Sequence, residues 1–174
     1  MRYRLQVSPL LPLALLLLAV VGGLPMIPSA PATPSRDDWA TRIAEMDRAL
    51  GGGDAPGAQA AWREAYVTAH VTHAWPGMLA VGDAALRLGR AAGTSEVGQA
   101  RARRAYLTAL LRARRQGSLD GVLAAGEAFA RLGDGQVVRQ VLAVASDLAA
   151  RSGDDGARLR VQGFRNQWVA RPLG

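Results

Sequence analysis

His70 and His73 are the chain's only histidines, and a spacing of three residues lets both project from one helical face. Together they offer two imidazole nitrogens to a metal ion, which makes a metal-dependent enzyme one reading of the chain. The rest of a metal site is harder to find. Glu64 lies six residues before His70, Asp83 falls on the following helical segment, and no HExxH arrangement is present. Packing, hydrogen bonding or plain exposure beside Trp75 accounts for the pair without a ligand.

The densest charged feature is Arg101, Arg103, Arg104, Arg112, Arg114 and Arg115, with no acid from Val97 through Leu119. Arg101, Arg104, Arg112 and Arg115 recur near multiples of the helical repeat and share one side, while Tyr106, Leu107, Leu110 and Leu111 are expected to pack. A strip of guanidinium forks can receive carboxylates, phosphates or anionic lipid headgroups. The plain alternative is a solvated face whose cations gather toward the favourable C-terminal end of a helix. Trp168 is the aromatic placed most readily at a partner or lipid boundary, whereas Trp39, Trp62, Trp75, Tyr66 and Phe164 are expected to fill space in an alanine-rich core.

No catalytic constellation accompanies these residues. The sequence has neither a Gly-x-Ser-x-Gly turn nor a glycine-rich phosphate loop after a strand. The acid pairs Asp37-Asp38 and Asp154-Asp155 fall at expected helix starts, where exposed amides and the helix dipole favour carboxylates without chemistry. Cysteine is absent, which removes disulfides, thiolate catalysis, cysteine-held zinc and thioether-linked haem. The expectation is a protein that is no enzyme and needs no cofactor or metal.

These side chains must be positioned by helices. Alanine, leucine, arginine, glutamate and glutamine run between punctuating glycines, and no sustained alternation suggests a strand. A first helix is expected to end near Leu50, with Trp39, Ile43, Met46 and Leu50 on one face, before Gly51-Gly52-Gly53. A second, over about 56–72, carries Trp62, Tyr66 and Ala69 or His70 on one stripe. It is expected to pair with a third running from Pro76 to Gly89, whose Gly82 and Ala85 let two backbones approach. Further helices are expected over about 95–115, 118–132, 135–151 and 154–169, with Val138, Val141, Leu142, Ala145 and Leu148 facing inward on the sixth.

Upstream, the run from Leu10 to Leu24 is strongly apolar and follows an amino terminus bearing Arg2 and Arg4 but no acid. Fifteen residues at helical rise span roughly 22 Å, short of a hydrocarbon layer of roughly 30 Å unless the flanking residues enter it too. The segment over 1–27 is therefore a signal anchor or a signal peptide, and Ala30-Pro31-Ala32 supplies a small-residue cleavage form. Residues 28–35 form a proline-rich spacer, and 36–170 a single helical domain. Basic residues on the short N-terminal flank favour an inner-membrane protein whose C-terminal domain lies in the periplasm, or a periplasmic or secreted one if the leader is removed. The net charge of +7, carried by arginine with no lysine, then has lipid or acidic protein as its accessible partners, and nucleic acid is not expected.

Two words recur along the chain. Ala65-Tyr66-Val67-Thr68-Ala69 returns as Ala105-Tyr106-Leu107-Thr108-Ala109, and the stretch Gly82 to Gly89 returns as Gly126 to Gly133. Recurrent two-helix units that cannot bury their apolar faces alone stack on one another. Tyr106, Leu110, Ala113, Gly117, Val122, Gly126 and Phe129, with a second set of Leu142, Ser146, Ala149 and Gly153, resemble tetratricopeptide-type repeats over roughly residues 56 to 169. The chain departs from that pattern where Asp134 takes the place of a closing proline and where Gly77, Gly117 and Gly153 are spaced by 40 and 36 residues. An open stack and an irregular bundle both fit. The resemblance implies an all-α helical-hairpin solenoid with a protein- or peptide-binding surface. The expected function is a non-catalytic, membrane-anchored scaffold or accessory subunit that binds another protein of an envelope complex. Arg101, Arg104, Arg112, Arg115 and Trp168 are its candidate contacts, and a secreted adaptor is the alternative.

Overall fold

The computed structural model describes residues 38–169, and the leader and proline-rich spacer expected over 1–35 lie outside them. Among the described residues the chain is all-helical, with seven helices and no strand: α1 Asp38–Gly51, α2 Ala55–Val71, α3 Trp75–Ala91, α4 Ser95–Arg115, α5 Leu119–Arg131, α6 Gly135–Ser152 and α7 Asp155–Val169. No helix among them is long and apolar enough to cross a membrane.

The helix ends follow from local chemistry. Asp54 accepts a hydrogen bond from the Gly57 amide at 2.9 Å and Ser118 accepts one from Gly121 at 3.1 Å, capping α2 and α5. At the end of α3, Gly93 adopts φ +67°, a conformation open to a residue without Cβ, and the Thr94 amide folds back onto the Gly89 carbonyl at 2.8 Å. The same closing bond joins Asp54 to Ala49, Ser118 to Ala113 and Asp134 to Phe129. The α2–α3 connection is built differently, because it lacks glycine and His73 takes the left-handed conformation at φ +54°.

Small residues decide which helices approach. A Cβ on Gly89 would sit 2.7 Å from the Gly98 Cα, one on Gly98 would sit 2.8 Å from the Ala85 carbonyl oxygen, and one on Gly82 would strike the Tyr106 ring. Gly82 and Ala85 therefore bring α3 against α4, whose interface is the most extensive in the structure, and not primarily against α2 as the sequence suggested. Contacts run to first and second neighbours along the chain, and α1, α3, α5 and α7 touch in series. Indole rings help hold that series. Trp39 of α1 covers Gly77 in the first turn of α3, and Trp75 of α3 covers Gly121 in the first turn of α5.

Ion pairs repeat the same connections: Asp47 with Arg87, Asp83 with Arg131, and Asp120 with Arg160. Each links one odd-numbered helix to the next. They are solvent-exposed and worth roughly 0–1 kcal/mol apiece, so they tune alignment more than stability. The core itself is mostly alanine, enlarged by Met46, Met78, Val81, Tyr106, Val122, Phe129, Val138 and Val141. Its polar atoms are satisfied: the Trp62 indole donates to the Val81 carbonyl at 3.1 Å, and the Tyr106 hydroxyl donates to Asp83 at 2.6 Å.

Candidate functional site

Helix α4 carries the arginine strip, and its neighbours divide the strip in two. Arg101 reaches across to α2 and lies with its guanidinium carbon 5.0 Å from the centre of the Trp62 ring. Arg112 reaches the same helix further along. Only 3% of it is exposed, and it donates to the Ala69 and His70 carbonyls, both at 2.8 Å, with a longer contact to the Ala74 carbonyl at 3.4 Å. The Ala69 and His70 carbonyls lie in the last turn of α2, which has no intrahelical donors left to offer them, and Ala74 caps the start of α3. A cation at a helix C-terminus also opposes the negative end of its dipole. Burial, followed by the nearby charge of Arg115, lowers the Arg112 pKa from its ordinary value.

The four arginines do share one side of α4, but that side meets α2 at a seam. Arg101 and Arg112 are used there to join two helices, so Arg112 is a buried cap and not a surface contact. Arg103 turns the other way and grips Asp134 at 2.8 and 3.2 Å through two donors. Arg104, Arg114 and Arg115 remain exposed.

Of the four residues between them that were expected to be core, two are and two are not. Leu107 and Leu111 are each 48% exposed, while Tyr106 and Leu110 are buried. On α2, Val67 and Val71 are 59% and 52% exposed. Val67 and Leu107 occupy the same place in the two recurring five-residue words, and the Arg112 bonds hold the level of Leu111 beside that of Ala69 and His70. Both helices therefore carry exposed aliphatic side chains, and α4 flanks its pair with Arg104, Arg114 and Arg115 and has no acid after Glu96. Sequence reasoning missed this surface, although the repeated word carried the signal.

The two histidines do not share a helical face. α2 ends at Val71, leaving His70 on the helix and His73 in the connection beyond it. His70 stacks on Tyr66 with centroids 6.0 Å apart, and the His73 carbonyl accepts a hydrogen bond from the Gln116 side chain at 3.2 Å. Among the described residues, no cluster of three or more His, Cys, Asp or Glu side chains is arranged to hold a metal. Trp168 is half-buried and packs near Gly135 at the start of α6.

No protein-family model, curated protein or solved structure matches this chain. Its site must therefore be read from its own geometry. That geometry offers exposed aliphatic side chains with a basic edge.

Proposed function

We propose that the chain is a non-catalytic helical-repeat scaffold that holds a partner protein through the outward surface of α2 and α4. Exposed Leu107 and Leu111 between Arg104, Arg114 and Arg115 carry this reading. Aliphatic groups left in water favour association, and the basic edge formed by Arg104, Arg114 and Arg115 selects a partner with apolar and acidic groups on the same face. The repeat reading draws support from the recurring words, the recurring helix-closing bonds and the neighbour-to-neighbour packing. The N-terminal apolar segment would hold the domain at the periplasmic side of an inner membrane. Removal after Ala32 would instead make it a periplasmic or secreted adaptor.

Arg104 and Arg115 stay among the partner contacts. Arg112 leaves them because it is sequestered, Arg101 because it turns away from Leu107 and Leu111 toward Trp62 of α2, and Trp168 because it packs on α6. No observation favours the metal-enzyme reading, since its two histidines fall on different elements.

The test is quantitative affinity purification of the full-length chain from detergent extracts, comparing wild type with a Leu107→Glu/Leu111→Glu variant. A defined set of co-purifying chains should be lost in the variant while the helical circular dichroism is retained. Equal recovery of every chain would remove the surface from the function. Flotation with anionic but not neutral vesicles, without a protein partner, would reassign it to lipid. The intact mass of the same preparation reports whether the leader is retained.

A further inference from the structure

A cleft of about 430 Å³ opens where the first turns of α2, the end of α3 and the start of α4 meet. Its size suits a ligand of amino-acid or dipeptide dimensions. Leu88, Val97 and Pro56 contribute apolar wall, and Gln59 and Thr94 contribute neutral hydrogen-bonding groups. Two cations, Arg63 and Arg101, also line it, and no carboxylate does.

Neither arginine forms an ion pair among the described residues. Contact with the Trp62 ring restricts Arg101, so part of the ordering cost of anion binding is met before a ligand arrives. The cleft is separate from the Leu107–Leu111 surface and does not depend on it.

We propose that this cleft binds a carboxylate bearing a short aliphatic group. Arg63 and Arg101 receive the two carboxylate oxygens, whose planar geometry matches the guanidinium fork. The aliphatic group lies against Leu88, Val97 and Pro56. Such a carboxylate can come from a peptide's C-terminal residue or from a free branched-chain acid. Gln59 and Thr94 favour the peptide source because they can pair with the amide that precedes a C-terminal residue. Bare phosphate fits less well, since it would leave the apolar wall uncovered.

Calorimetric titration of the full-length chain in mild detergent tests the assignment with four probes: N-acetyl-leucine, N-acetyl-leucinamide, 4-methylpentanoate and inorganic phosphate. N-acetyl-leucine should bind at least about tenfold more tightly than its uncharged amide and than phosphate. Arg63→Gln and Arg101→Gln should each weaken it about tenfold or more while melting remains cooperative. Since Arg63 is exposed, its variant keeps the test informative even if Arg101→Gln disturbs Trp62. N-acetyl-leucine binding above 4-methylpentanoate identifies the peptide source; equal binding identifies the free acid. No measurable binding, equal binding of the amide or phosphate, or full affinity in both variants overturns the proposal.

Discussion

Replacing Arg112 by methionine separates a buried cap from a surface cation. Methionine keeps much of the aliphatic stem and loses both the charge and the donors. The His70 carbonyl then loses its bond from Arg112, while the Ala69 carbonyl still receives the Thr72 hydroxyl at 3.1 Å. A hydrogen bond from a charged donor contributes about 1.5–3 kcal/mol, and an orphaned buried acceptor costs about 1–3 kcal/mol. Relief of a desolvated guanidinium offsets part of this. The expected loss is about 2–3 kcal/mol, or about 6–9 °C in melting temperature for a helical domain of this size. Arg112→Lys keeps the charge but loses the planar fork that spans two carbonyls, and should cost about half as much. Arg104→Met on the exposed flank should change stability by less than about 0.5 kcal/mol. Thermal unfolding followed by circular dichroism gives the comparison, and amide exchange should quicken first around residues 68–75. If Arg112→Met melts within about 2 °C of wild type, the side chain is solvated and the seam argument fails.

Two further perturbations probe the interior. Gly98→Ala should destabilise the fold by about 1–3 kcal/mol by forcing α4 away from the Ala85 carbonyl, whereas Gly163→Ala, where a Cβ meets nothing within 4 Å, should stabilise it by about 0.5–1 kcal/mol in urea titration; effects of the same sign would refute the close-approach account. Burial, reinforced by Asp83, raises the Tyr106 pKa above its ordinary 10.0, with Arg131 acting in the opposite direction. The neutral phenol therefore favours the fold, and this contribution is complete below pH 10 and declines above it as the unfolded chain releases the proton. Alkaline difference absorbance of wild type minus Tyr106→Phe should show no phenolate near pH 10 while the protein is folded, and its appearance there would contradict the buried bond to Asp83.

Much of the helical framework was legible because its signals are local. Breaks at Gly51–Gly53, Gly117, Gly133 and Gly153 and the inward stripe of Val138, Val141 and Ala145 depend on neighbours within a few turns, whereas α3 runs past its expected end at Gly89 to Ala91. The site was legible only in part. Helical spacing correctly put Arg101, Arg104, Arg112 and Arg115 on one side, but it could not distinguish the pair facing α2 from the pair facing water. Leu107 and Leu111 looked like core by residue type, yet the close contact of α3 with α4 is filled by glycine, alanine and the Tyr106 ring, leaving both leucines outside. His70 and His73 looked like one helical face until the chain turned at Thr72.

The sequence by itself determined a helical chain, most of the places where it breaks, and an arginine side on α4 with no acid from Val97 through Leu119. Only the tertiary structure decided that Arg112 closes α2, that Arg101 rests on Trp62, and that Leu107 and Leu111 face solvent. Periodicity specifies a side chain's angle about its own helix axis. Its burial depends on the position of the neighbouring axis, and here close approach through Gly89 and Gly98 and the Arg112 bonds to α2 help set those positions.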